Sequence, residues 1–159
     1  MIMGTGEVKI GGVRAARLAA IKADIDENLG RPDLCTDAVA ARSGVSGRYV
    51  RMLFAGEGLR FSEFVLELRL TRAHLMLTDA QLTARTISSI AFEVGFADLS
   101  YFNRTFRRRF GTTPTDVREQ ARRERVCAGV HDTLLPIIAI DTEPRMTHRL
   151  HADALAISS

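Results

Sequence analysis

The side chains best suited to chemistry in this sequence fall in two stretches that share one pattern. Arg48-Tyr49-Val50-Arg51-Met52-Leu53-Phe54 aligns with Ser100-Tyr101-Phe102-Asn103-Arg104-Thr105-Phe106, 52 residues further on. At helical spacing each stretch sorts into two faces. Tyr49, Val50, Leu53 and Phe54 in the first copy, and Tyr101, Phe102, Phe106 and Phe110 in the second, should point inwards. The opposite face carries Arg48, Arg51 and Met52 in one copy, and Ser100, Asn103, Arg104 and Arg107 in the other. Arg pairs with guanine through two hydrogen bonds, Asn does the same with adenine, and Ser meets a base or a phosphate. One such helix alone is better explained as the solvated face of a bundle. Two copies in one chain favour contact with duplex DNA.

Other reactive residue types form no comparable pattern. Cys35 and Cys127 lie far apart in no CxxC or Cys/His cluster, so reduced thiols are expected. Asp24, Asp26 and Glu27 share one amphipathic stretch, where solvated charge is the ordinary explanation. His148 and His151 are three apart, as metal ligands on a helix can be, but no third ligand accompanies them. No phosphate-binding glycine loop, nucleotide fingerprint or Ser/His/Asp arrangement is present. No catalytic activity, cofactor or metal is therefore expected.

Several elements must position the two stretches. Val39-Ala40 to Gly44 precedes the first copy, and Ile90-Ala91 to Gly95 precedes the second, so each copy reads helix, Gly turn, helix. Apolar residues from Val13 to Leu29 recur at roughly helical spacing and end at Gly30 and Pro32. Thr36 or Asp37 can cap a helix running to Ser43, and Ser46 one reaching Ala55. A long helix spans about 61–77, with Phe61, Phe64, Val65, Leu68, Ala73, Leu75 and Met76 apolar. It leaves Glu63, Glu67, Arg69 and Arg72 to solvent. Helices over 86–94 and 98–110 follow, the second capped by Asp98 and stopped by Gly111. Thr113 caps a last one towards Arg125, with Pro114 at its favoured first position. The class is all-α, with about seven helices: two helix-turn-helix subdomains joined by a long linking helix.

At 159 residues, 46% hydrophobic and 26% charged, the composition is that of an ordinary globular chain. Residues 1–125 carry 20 Lys and Arg against 15 Asp and Glu, whereas residues 126–159 carry 2 against 4. The Gly-rich residues 1–12 read as a flexible leader or linker remnant. Residues 13–125 read as the DNA-binding domain, with units at 13–60 and 80–125 and the linking helix at 61–79. Residues 126–159, with strand-like alternation near 134–140 and Pro136 within it, read as a loosely ordered tail. No signal peptide or membrane-length apolar stretch is seen, so a cytoplasmic protein without membrane contact is expected. About 17 helical residues make a rod of about 26 Å. Successive major grooves on one DNA face lie about 34 Å apart. Such a rod, widened by packed helices, can hold two reading helices in adjacent grooves, with DNA bending at a cost of about 1–6 kcal/mol.

Over about residues 14–125 the chain resembles the DNA-binding domain of the AraC/XylS transcriptional regulators. The resemblance is most specific at Ile90-Ala91, Gly95-Phe96, Ser100-Tyr101-Phe102, Arg104, Phe106, Gly111 and Thr113-Pro114. In the first copy it runs through Ala40, Gly44, Ser46 and Leu53-Phe54 to Arg69-Leu70 and Ala73. It implies a two-lobed, seven-helix domain. It puts base reading on Arg48, Arg51, Met52, Ser100, Asn103 and Arg104, and phosphate contact on Ser46, Arg107 and the N-terminal amides of flanking helices. It also implies sequence-specific binding of double-stranded DNA and transcription regulation, with RNA polymerase as the candidate protein partner of an activator. No small-molecule ligand is evident. The alternative is a truncated or non-specific DNA-binding module lacking its sensor domain. Three departures from the pattern stand out. Arg60 and Phe61 replace the usual cap and Pro of the long helix, Val117 replaces an aromatic residue, and Met52 cannot donate a hydrogen bond.

Overall fold

A computed structural model describes the backbone of residues 5–138 and the side chains of residues 12–127. The elements are α1 (Thr5–Glu27), α2 (Thr36–Arg42), α3 (Gly47–Ala55), α4 (Phe61–Thr78), a 3-10 turn at Ala80–Leu82, α5 (Ile87–Glu93), α6 (Leu99–Phe110) and α7 (Pro114–Ile138). The fold is all-α, with no strand among the described residues. Residues up to Arg123 form one compact unit and those from Glu124 a second.

Two separate apolar cores organise the first unit. In α1, Leu18, Ile21, Ile25 and Leu29 recur every three or four residues and so share one face. They meet Val39 and Ala40 of α2, Val50, Leu53 and Phe54 of α3, and Phe61 and Val65 at the start of α4. The second core joins Leu70, Ala73 and Leu77 of α4 to Ile90 and Ala91 of α5, Phe96, Phe102 and Phe106, and Val117 of α7. Helix α4 thus begins in one core and ends in the other. Phe54, Phe102 and Phe106 are fully buried, and each contributes about 1.5–3 kcal/mol by leaving water. Ring edges and faces interlock: Phe54 meets Phe64 at 5.2 Å, and Phe96 meets Phe102 at 5.0 Å between centroids.

Several sequence-based expectations need correction. Helix α1 starts at Thr5, so residues 5–12 are helical where a flexible leader was expected. A glycine costs a helix about 1 kcal/mol but does not stop it. Neither Thr36 nor Asp37 caps α2; the cap position is Cys35, which makes no side-chain cap bond. Along α4, Leu75 is 63% exposed, whereas Leu70 and Leu77 are buried. Arg69, expected in solvent, is half-buried and hydrogen-bonded to the backbone carbonyls of Leu29 and Arg31. Helix α7 runs through Pro136 to Ile138, thirteen residues beyond the expected end, so residues 126–138 are helical rather than loose or strand-like. His148, His151 and the rest of that tail lie outside the described residues.

The start of α4 is capped from the other side. An Arg side chain holds only donors and cannot accept from an amide. Instead the Glu63 carboxylate accepts the Arg60 N–H at 3.2 Å. Half of a capping box is therefore present, which the departure at Arg60 had hidden.

Candidate nucleic-acid interface

The two helix-turn-helix units are built by the same local bonds. In the first turn the Val45 N–H donates to the Ala40 carbonyl at 3.0 Å, and in the second the Phe96 N–H donates to the Ala91 carbonyl at 3.0 Å. Gly44 and Gly95 turn the chain with φ of 63° and 96°, a region that side-chain-bearing residues rarely adopt. Ser46 Oγ then accepts from the Tyr49 N–H at 3.1 Å, and Asp98 Oδ1 from the Tyr101 N–H at 2.6 Å. Between these bonds the offset between copies grows from 51 (96 − 45) to 52 (98 − 46). The second turn therefore carries one extra residue, the exposed Ala97.

Packing then decides which residues face outwards. In α3, Val50, Leu53 and Phe54 are buried, which leaves Arg48, Arg51 and Met52 exposed. In α6, Phe102, Thr105 and Phe106 are buried, which leaves Ser100, Asn103, Arg104 and Arg107 exposed. All eight residues singled out from the sequence, Ser46 included, are exposed. Two inward assignments change. Tyr101 is 44% exposed, and Thr105 takes the buried place that Leu53 fills in the first copy. Thr105 is satisfied there because its hydroxyl donates to the Tyr101 and Phe102 carbonyls at 2.8 and 3.0 Å. The recurrence of Thr105 opposite Leu53 in the repeat was the signal that could have identified it.

The arginine run 107–109 divides by role. Arg109 turns back onto α4, its Nε donating to both Glu67 oxygens at 2.7 and 2.8 Å. That carboxylate holds the Arg109 guanidinium above its ordinary range. Arg107 instead lines a cleft with Asn103, Arg104, Thr113, Pro114 and Thr115. The N-terminus of α7 thus meets the outer face of α6. Thr113 and Asp116 cap it reciprocally. Thr113 Oγ1 accepts the Asp116 N–H at 3.2 Å, and the Asp116 carboxylate accepts the Thr113 N–H at 3.2 Å and its hydroxyl at 2.6 Å. These bonds from Thr113 hold the Asp116 carboxyl below the usual carboxylate range.

Acidic residues that could have been free surface are engaged. Asp24 takes a two-pronged bond from Arg42, both at 2.8 Å, and Asp26 pairs with Arg72 at 2.9 Å. Among the described residues no cluster of three or more His, Cys, Asp or Glu could hold a metal ion, and no helix is long and apolar enough to cross a membrane.

A family model described as a helix-turn-helix domain matches residues 39–120. The transcriptional activator RhrA of Rhizobium meliloti is 42% identical over 105 residues, covering 66% of this chain and 33% of RhrA. The regulatory protein SoxS of Salmonella typhimurium is 35% identical over 97 residues, covering 60% of this chain and 87% of SoxS. This chain spans about a third of the length of RhrA and of other curated relatives of that size. Among solved structures, a Chromobacterium violaceum transcriptional regulator with an AraC-type DNA-binding domain superposes with a TM-score of 0.60 at 31% identity. That match covers 67% of this chain and 93% of the other.

Proposed function

Because the chain belongs to the AraC-type helix-turn-helix family, whose members regulate transcription, we propose that it binds double-stranded DNA sequence-specifically, with α3 and α6 in adjacent major grooves. The observation that carries this reading is the paired exposure of donor-rich faces on two helices whose opposite faces are buried in separate cores. Helix α4, at 18 residues, is about 27 Å long, a span suited to grooves that repeat about every 34 Å.

In this reading Arg48, Arg51 and Met52 meet bases in one groove, and Ser100, Asn103 and Arg104 in the next. Arg107 takes a phosphate beside the first turn of α7, where Pro114 has no N–H and the Thr113 and Asp116 amides are held in the cap, so the Thr115 N–H is the nearest backbone donor. Ser46 remains able to do the same, since its Oγ accepts the cap bond and its O–H is still a donor. The first groove is read through fewer polar contacts, because Met52 offers only apolar surface. Activation, the role for which RhrA is named, adds RNA polymerase as a partner, and a chromosomal target implies a cytoplasmic location.

The test is selection of bound sites from a random duplex pool, followed by Arg104→Ala. Two protected major-groove segments about one turn apart are expected. The variant should lose about 1–3 kcal/mol of specific binding and relax the preference at one base pair. An unchanged ratio of specific to non-specific affinity would remove Arg104 from the reading face. Uniform weak protection would instead support a non-specific binder.

A further inference from the structure

The two lobes of the first unit, one built on each core, touch where no side chain would fit. Gly30 follows α1, on the first lobe, and a Cβ added there would run into the carbonyl oxygen of Glu93, where α5 of the second lobe ends in its turn. Gly95 in that turn answers it: a Cβ there would lie 2.7 Å from the Leu29 carbonyl oxygen and 2.7 Å from an Arg69 guanidinium nitrogen. Backbone therefore meets backbone across the seam, with no room for a Cβ at either glycine.

Arg69 closes the seam from α4. Its Nε donates to the Leu29 carbonyl at 3.2 Å and its Nη2 to the Arg31 carbonyl at 2.9 Å. One turn later Arg72 donates to the Asp26 carboxylate at 2.9 Å. Both arginines lie near the point where α4 leaves the first core and enters the second, between Val65 and Leu70. A helix alone between two bodies leaves bending free. Contacts beside its axis remove that freedom, and they are polar and close-fitting rather than part of either core.

We infer that the Gly30–Gly95 seam, clamped by Arg69, sets the separation and orientation of α3 and α6, and so selects the half-site spacing the protein accepts. The inference rests on the two-groove reading above. Arg69 and Gly30 act here as positioning residues and are not among the proposed base contacts. Two linked contacts bind tightly together only while their geometry matches the span, and the gain is lost when it does not.

Gly30→Ala is the sharpest probe, because Gly30 is exposed and its φ lies outside the left-handed region, so an added methyl wedges the seam without straining φ. Gly95→Ala would confuse the two effects. Arg69→Gln and Arg69→Lys complete the set, the lysine keeping the charge but lacking the two-pronged reach. The probes are the duplex recovered by selection, versions with single base pairs inserted or removed between its two protected segments, and duplexes carrying one segment only. The wild type should show a sharp spacing optimum. Gly30→Ala and Arg69→Gln should bind the optimal duplex about ten-fold or more weakly, with a flattened or displaced optimum. All variants should bind the single-segment duplexes as the wild type does, which also shows that each lobe is folded. A Gly30→Ala spacing profile identical to the wild type overturns the inference while leaving the two-groove reading standing. A wild type that protects no paired segments overturns that reading and the inference with it.

Discussion

Thr113 and Asp116 show how much one pair of side chains can organise. Their reciprocal bonds start α7 and place its first turn beside Arg107. The Asp116 carboxyl is held below the ordinary range, chiefly by the Thr113 hydroxyl. A carboxylate with a depressed folded-state pKa stabilises above its unfolded value and loses that contribution as pH falls through the folded value. Thr113→Ala should therefore move Asp116 upwards, as followed by carboxyl NMR titration. The stability gap between wild type and variant should narrow below about pH 4. A gap independent of pH would mean that the carboxylate bond contributes nothing. Arg107, beside this cap, should behave as a phosphate contact. Arg107→Ala should weaken all duplexes alike and reduce the slope of log affinity against log salt by about 0.9, whereas Arg104→Ala should change sequence preference.

At the scale of elements, the caps of α3, α5 and α6 follow from residue type at the right place: Ser46, Thr86 and Asp98 each accept the amide three residues on. The caps of α3 and α6 were legible because an N-cap needs only a short acceptor side chain and a local turn. Helix α4 begins with a donor-only Arg60, rescued by Glu63. Arg60→Ser should complete the box and raise stability by about 0.5–2 kcal/mol, read as an increase in thermal midpoint; no increase would show that the single Glu63 bond already suffices. The faces of α4 were less legible. A helix that serves two cores must rotate its apolar stripe from Phe61 and Val65 to Leu70, Ala73 and Leu77. No single periodicity describes that, so Leu75 read as buried and Arg69 as solvated.

At the scale of the molecule, two cores share one connecting helix, which predicts unequal responses to damage. Phe54→Ala removes a fully buried ring from the first core and should cost about 3–5 kcal/mol. Hydrogen exchange should then quicken in α1 to α3 well before α5 and α6. Equal quickening everywhere would show that the lobes open as one cooperative unit. The sequence by itself determined the all-α class, the duplicated units and the outward donors, because cap chemistry, glycine turns and helical periodicity act over a few residues. The acid and base partners that join helices were set by the tertiary structure: Arg42 with Asp24, Arg72 with Asp26, Arg109 with Glu67. Exposed charges of this kind carry no periodic signature, and which of them meet depends on how helices cross. The meeting of Gly30 and Gly95 under Arg69 was decided only by the tertiary structure, since two glycines 65 positions apart (95 − 30) read as local turns until the fold brings their backbones together.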